Sequence, residues 1–133
     1  MENEIHLTLG IWGFTDITHQ DITTMLDLQP AKIHMFGERI NPKFLPIAQE
    51  NGWMFVHSKI VTESFEKQMT ELVSLLKSKS QILKQLSEKY YCELSCAIFK
   101  KSEDKSLPWV HLNKDHIDFL KEFNIEFDLD LYA

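Results

Sequence analysis

The sequence predicts an α+β domain: one mixed, largely antiparallel sheet of about five strands, with helices packed on one face. Three observations carry that prediction. First, segments with apolar alternation or rich in β-formers, "IHLTLGIW", "GWMFVHSKIV", "YYCELSCAIF", "LPWVHL" and "IEFDLDLY", are interleaved with segments of helical periodicity. Second, the alternation is one-sided. Ile5, Leu7, Leu9 and Ile11 alternate with His6, Thr8, Gly10 and Trp12, and Ile125, Phe127, Leu129 and Leu131 alternate with Glu126, Asp128, Asp130 and Tyr132. Such a sheet is wet on one face and covered by helices on the other, unlike a doubly wound parallel sheet. Third, the 133 residues are 44% apolar and 26% charged, with no linker or low-complexity run, so a single domain over 1–133 with its own core is expected.

The first strand leads into "DITHQDITTML". Here Thr18 can cap a helix, Ile17 is spaced to pack on Ile22, and Asp21 sits at the third helical position, where a negative charge is favoured. The stretch 29–51 is long and irregular, and loops beyond about 15 residues in compact domains are usually functional or conceal structure. "KIHMF" can form a short strand. Asn41 followed by Pro42 suits a helix start, with Phe44, Leu45, Ile47 and Ala48 able to pack.

A helix then begins near Ser64, since Phe65, Met69, Leu72, Val73 and Leu76 draw one apolar stripe. "SKSQ" interrupts it, and Ile82, Leu83, Leu86 and Tyr90 continue on a second helix capped at about Ser80. In "HLNKDHIDFLKEF", Asn113 caps and Leu112 is spaced to meet Ile117. Two strand-then-stapled-helix units thus bracket the chain, either as a pseudo-repeat of strand-helix-strand units or as common capping grammar used twice. Because "IEFDLDLYA" reads as strand to its last residue, removing 124–133 is expected to abolish cooperative unfolding.

Composition narrows the function classes. A net charge of −6 argues against nucleic-acid binding, which draws its affinity from basic patches, and is compatible with a basic partner. No apolar run approaches the roughly 20 residues of a membrane span. The start "MENEIHLTLG" carries acids where a secretory signal has a basic region, so a cytoplasmic location is expected. Cys92 and Cys96 lie four residues apart in a strand, about 13 Å, far beyond the roughly 7 Å limit for a disulfide. They read as inward thiols, and no second pair of ligands completes a zinc site.

Catalytic signatures are missing too. His6, His57, His111 and His116 show no metal-ligand spacing, and no nucleophile elbow or Gly-rich phosphate loop occurs among only 4 glycines. No catalytic residue, metal or cofactor is expected.

Candidate surfaces remain. Glu126, Asp128 and Asp130 point the same way at steps of roughly 7 Å, which suits a solvated strand face or a paired acid and base. Trp12 joins His6 on the wet face; Trp53 and Trp109 either join it or belong to the core. Arg39 is the only arginine, and its planar fork grips a carboxylate or phosphate bidentately. Lys32, Arg39 and Lys43 face only Glu38 within their segment, whereas 115–132 sets six acids against Lys121, so the two regions are expected to meet. Arg39 is then a clamp on the acidic strand, or else an anion site.

The order of pieces, a strand, a stapled helix ending in "LDLQP", then "GER", "GW", "LVSLL", "LSEKY" and a terminal "FDLDLY", resembles the bacterial domain-of-unknown-function family 4279 over nearly the whole chain. The resemblance implies a small cytoplasmic bacterial α+β domain without an assigned catalytic reaction. Ala31 departs from the small hydroxylic residue that the family pattern places after the proline, so no role tied to that hydroxyl carries over.

The expected function is a non-enzymatic module holding a protein partner, for example an immunity-type inhibitor masking a basic toxin. The residues singled out are Arg39, Trp12, His6, Trp53, Asp128 and Asp130. The alternative is a small-molecule or hydrolytic pocket built from Arg39, His6 and the carboxylates of the last strand. A desolvated cleft favours the pocket, and a flat exposed face favours the module.

Overall fold

A computed structural model describes residues 2–38, 48–101, 103 and 107–132. The alternating segments become β1 (Glu4–Trp12), β2 (Lys32–His34), β3 (Gly52–Phe55), β4 (Tyr91–Phe99) and β5 (Glu126–Tyr132). The helical segments become α1 (His19–Leu26), α2 (Phe65–Lys77), α3 (Ser80–Lys89) and α4 (Lys114–Glu122).

The strands form one mixed sheet in the order β2-β3-β1-β4-β5. Its first three pairings are antiparallel and β4 with β5 is parallel. Helix α1 links β1 to β2 with β3 lying between them, and α2 with α3 links β3 to β4 with β1 between. That is the split β-α-β connectivity of ferredoxin-like folds, here extended by α4 and β5.

The four helices of the described residues cover the face carrying Ile5, Leu7, Leu9, Ile11, Cys92, Leu94, Cys96 and Ile98, which are buried with Phe14, Trp53, Phe65, Phe119 and Phe123. Each large apolar side chain so buried contributes on the order of 1.5–3 kcal/mol. Among the described residues, the buried polar side chains Thr23, Gln68, Ser87 and His116 each have a hydrogen-bond partner. Trp53 Nε1 donates to Thr23 Oγ1 at 3.0 Å, and Gln68 Nε2 donates to the Ile5 and Glu63 carbonyls at 3.1 and 3.0 Å.

Capping follows the sequence closely. Thr18 Oγ1 accepts from the Asp21 amide while Asp21 Oδ2 accepts from the Thr18 amide, a reciprocal capping box. Ser64 caps α2 and Asn113 caps α4. Helix α3, expected to be capped at about Ser80, has Lys79 at its cap and Ser80 as its first residue. The Lys79 carbonyl already accepts from Leu83 at 2.9 Å, so the short turn leaves Lys79 in the cap position without a side-chain bond.

Two further expectations are corrected, and a third falls outside the described residues. "LPWVHL" is not a strand: residues 107–112 run as a connection, with Val110 and Leu112 packed on the core and Trp109 and His111 turned outward. Its alternation reports a half-buried extended chain, not a ladder. Without that strand the proposed pseudo-repeat loses its second unit.

Strand β3 is shorter than "GWMFVHSKIV". The chain leaves the ladder after Phe55 and returns only at Val61, whose carbonyl accepts from Ile5 at 2.8 Å. Finally, the helix expected from Asn41 and Pro42 lies outside the described residues, as do Phe44, Leu45 and Ile47. Their described flanks are joined: the Gly37 amide bonds the Ala48 carbonyl at 2.9 Å, and the Ala48 amide bonds the Glu38 carbonyl at 2.7 Å.

Candidate binding face of the sheet

Among the described residues the helices lie on one side of the sheet and leave its other face without a covering element, and strand register decides which side chains share it. Trp12, Gly52 and His34 lie in one row, and Tyr91 continues it on β4. The indole of Trp12 rests on two glycines. A β-carbon at Gly10 would lie 2.5 Å from Trp12 Nε1, and one at Gly52 would lie 2.3 Å from its Cζ3. Glycine in these strands therefore makes room for a ring lying flat on the backbone. His34 meets that ring edge-on at 5.5 Å. Burial pushes the His34 imidazole below its ordinary pKa, and its Nε2 has no hydrogen-bond partner among the described residues.

The opposite end of the face holds a second aromatic group. Phe99 and Tyr132 stack at 4.9 Å, and His6 meets Phe99 edge-on at 5.1 Å. His6 Nε2 donates to Glu4 Oε1 at 2.9 Å, and Lys101 Nζ reaches Glu4 Oε2 at 2.6 Å. Lys101 first, then His6, holds the Glu4 carboxyl below its usual range. Between the two aromatic groups the floor is made of short side chains, Thr8, Ser95 and Ala97.

One margin of the face is acidic. Glu93 lies in register with Glu126, Ser95 with Asp128 and Ala97 with Asp130. Asp128 and Asp130 are exposed. The Tyr91 hydroxyl donates to Glu93 Oε2 at 2.6 Å, and the carboxylates of Glu126 and Glu93 raise its pKa by favouring the protonated phenol.

The residues singled out from sequence fall into three groups. Trp12, His6, Asp128 and Asp130 do share the open face. Trp53 does not: it is 0% exposed on the helix side, because a one-residue step along a strand reverses the face and Gly52 already occupies the open one. Arg39 lies outside the described residues. The expected meeting of basic segment and acidic strand is not met by their described parts, since β2, which carries Lys32, and β5 form opposite edges of the sheet.

Tyr91, Glu93, Phe99, Tyr132 and His34 were missed, although reading Cys92 and Cys96 as inward already turns Tyr91, Glu93 and Phe99 outward. Trp109 is 75% exposed, stacked on His111 at 5.4 Å, and away from this face.

Clefts formed by described residues include one of about 350 Å³ bordered by Ile5, Phe65, Leu107 and Trp109, and His6, Trp12, Asp128 and Asp130 line none of the four described. His6 and Asp130 share a row but are separated by β4, so their backbones stand about 10 Å apart. Among the described residues no group of three or more His, Cys, Asp or Glu side chains is placed to hold a metal ion. No helix among them is long and apolar enough to cross a membrane.

Fold and face together define a class: a small α+β domain with a one-sided helical layer and an open sheet with an acidic margin. The chain matches the family described as Domain of unknown function (DUF4279) over residues 3–133, and it belongs to that family. No curated protein and no solved structure matches it.

Proposed function

We propose that the protein is a non-enzymatic binding module of a bacterial cytoplasm that holds a basic protein partner on the open face of its sheet. The observation supporting this reading is the composition of that face: two aromatic groups bracket a floor of small residues, and four carboxylates, Glu93, Glu126, Asp128 and Asp130, line one side. Aromatic anchors give such a surface contact energy, and the acids steer a basic partner and fix its orientation. An immunity-type inhibitor masking a basic toxin is one concrete version. A hydrolytic pocket has less support, because the carboxylate beside His6 is Glu4, already shared with Lys101, and Asp130 lies two strands away.

The test is affinity capture from the source cell with three proteins: the wild type, Asp128→Lys/Asp130→Lys on the face, and Glu71→Lys/Glu88→Lys on the helices. The reading predicts a basic protein retained by the first and third and lost by the second. Equal retention by all three contradicts it.

A further inference from the structure

Strand β5 ends the sheet, and among the described residues nothing pairs with its outer edge. It runs parallel to β4 in register from Glu93↔Glu126 to Phe99↔Tyr132, and the Tyr132 carbonyl accepts from the Lys100 amide at 2.9 Å. In a parallel ladder a residue bonds its neighbour through both its amide and its carbonyl, and the next residue turns both away. Counting back from Tyr132, the backbones of Asp130, Asp128 and Glu126 face β4. Those of Phe127, Leu129 and Leu131 face outward, unpaired.

The side chains of this edge are sorted by face. Leu129 and Leu131 lie in register with buried Cys96 and Ile98 yet are 50% and 54% exposed. Glu126, Asp128 and Asp130 are exposed on the other face. A long edge strand with open apolar side chains is a template for strand addition. Any strand laid against it sets its own residues alternately beside leucine and beside carboxylate.

We propose that the outer edge of β5 takes an extended segment of a basic partner as a sixth strand, one in which apolar residues alternate with lysine or arginine. This rests on the acidic-face reading above and adds to it the mode of recognition. The alternation matches both faces at once: apolar residues complete the cover over Leu129 and Leu131, and cations meet Asp128 and Asp130. A second copy of β5 fits poorly, because antiparallel pairing sets its acids against the same acids, and like charges directly opposite are destabilising.

The probe is an end-capped peptide of the length of β5, 7 residues, alternating valine and lysine, titrated into the isotope-labelled full chain and followed by amide shifts. The proposal predicts saturable shifts at Phe127, Leu129 and Leu131. It also predicts binding roughly tenfold or more weaker for a peptide with the same residues in two blocks, and for one N-methylated at the amides that face β5. Equal binding by either control, shifts elsewhere with the β5 amides unmoved, or no saturable binding would overturn it.

The Asp128→Lys/Asp130→Lys protein separates the two readings. If it loses the peptide while the N-methylated peptide still binds the wild type, the acidic face stands and strand addition falls. If it keeps the peptide and methylation abolishes binding, the demand for a basic strand falls, and the acidic-face reading with it.

Discussion

The ring of Trp12 lies over the α-carbon of Gly52 so closely that a β-carbon there would stand 2.3 Å from Cζ3. One methyl group on β3 therefore displaces an aromatic anchor on β1. Gly52→Ala is expected to cost about 1–3 kcal/mol of stability, the usual penalty of overpacking, and to shift Trp12 emission to the red as the ring lifts into water. Chemical denaturation followed by fluorescence checks both. An unchanged midpoint and an unchanged spectrum would remove Trp12 from its cradle.

Trp53 shares a strand with Gly52 but points the other way, into the core. Its indole N–H has one partner, Thr23 Oγ1 on α1. Thr23→Val keeps the shape and leaves that donor unsatisfied, so a loss of about 1–3 kcal/mol is expected in urea unfolding. Wild-type stability in the variant would show that the bond contributes nothing.

His116 ties stability to pH. Its Nδ1 accepts from the Asn113 amide at 3.2 Å, which leaves the proton on Nε2 to donate to Thr70 Oγ1 at 3.0 Å. Burial lowers its pKa below the ordinary 6.5, outweighing the opposite pull of Glu66 and Asp115, while His111 adds to the lowering. The unfolded chain thus binds more protons than the folded one between 6.5 and the lower folded value. The stability this histidine contributes is complete above pH 6.5 and is lost as pH falls through that window. The stability advantage of wild type over His116→Gln should therefore shrink from pH 7.5 to pH 5, as urea midpoints would reveal; a constant difference contradicts the burial argument.

Much of this architecture was legible in the sequence, and the reasons are local. Thr18 with Asp21, Ser64 and Asn113 announce their helices because a cap is a short-range bond. The one-sided sheet was legible from Ile5 to Ile11 because alternation records burial directly. The failures arise where alternation has a second cause. Val110 and Leu112 alternate with Trp109 and His111 for want of a deeper position, not to pair a strand. Leu129 and Leu131 read as core yet are half exposed, since sequence does not say which strand ends the sheet. Trp53 misled for a related reason: the face of a four-residue strand depends on the register of Gly52 against Trp12, a contact 40 positions away.

Cys92 and Cys96 supply a check on the core. Burial pushes their thiols up to about 12 and about 11, so few thiolates are available at neutral pH. A thiol reagent is expected to modify neither in the native protein and both after unfolding, with rates that follow global opening. Rapid labelling of native protein would place β4 at the surface.

Recruitment of a basic partner by the acidic margin of the open face is a matter of long-range charge. The most direct measurement is the association rate of the captured partner across ionic strength. A fall of roughly tenfold or more between about 20 and 200 mM salt is expected for the wild type, and a much flatter dependence for Asp128→Lys/Asp130→Lys. A wild-type rate that does not change with salt would contradict it.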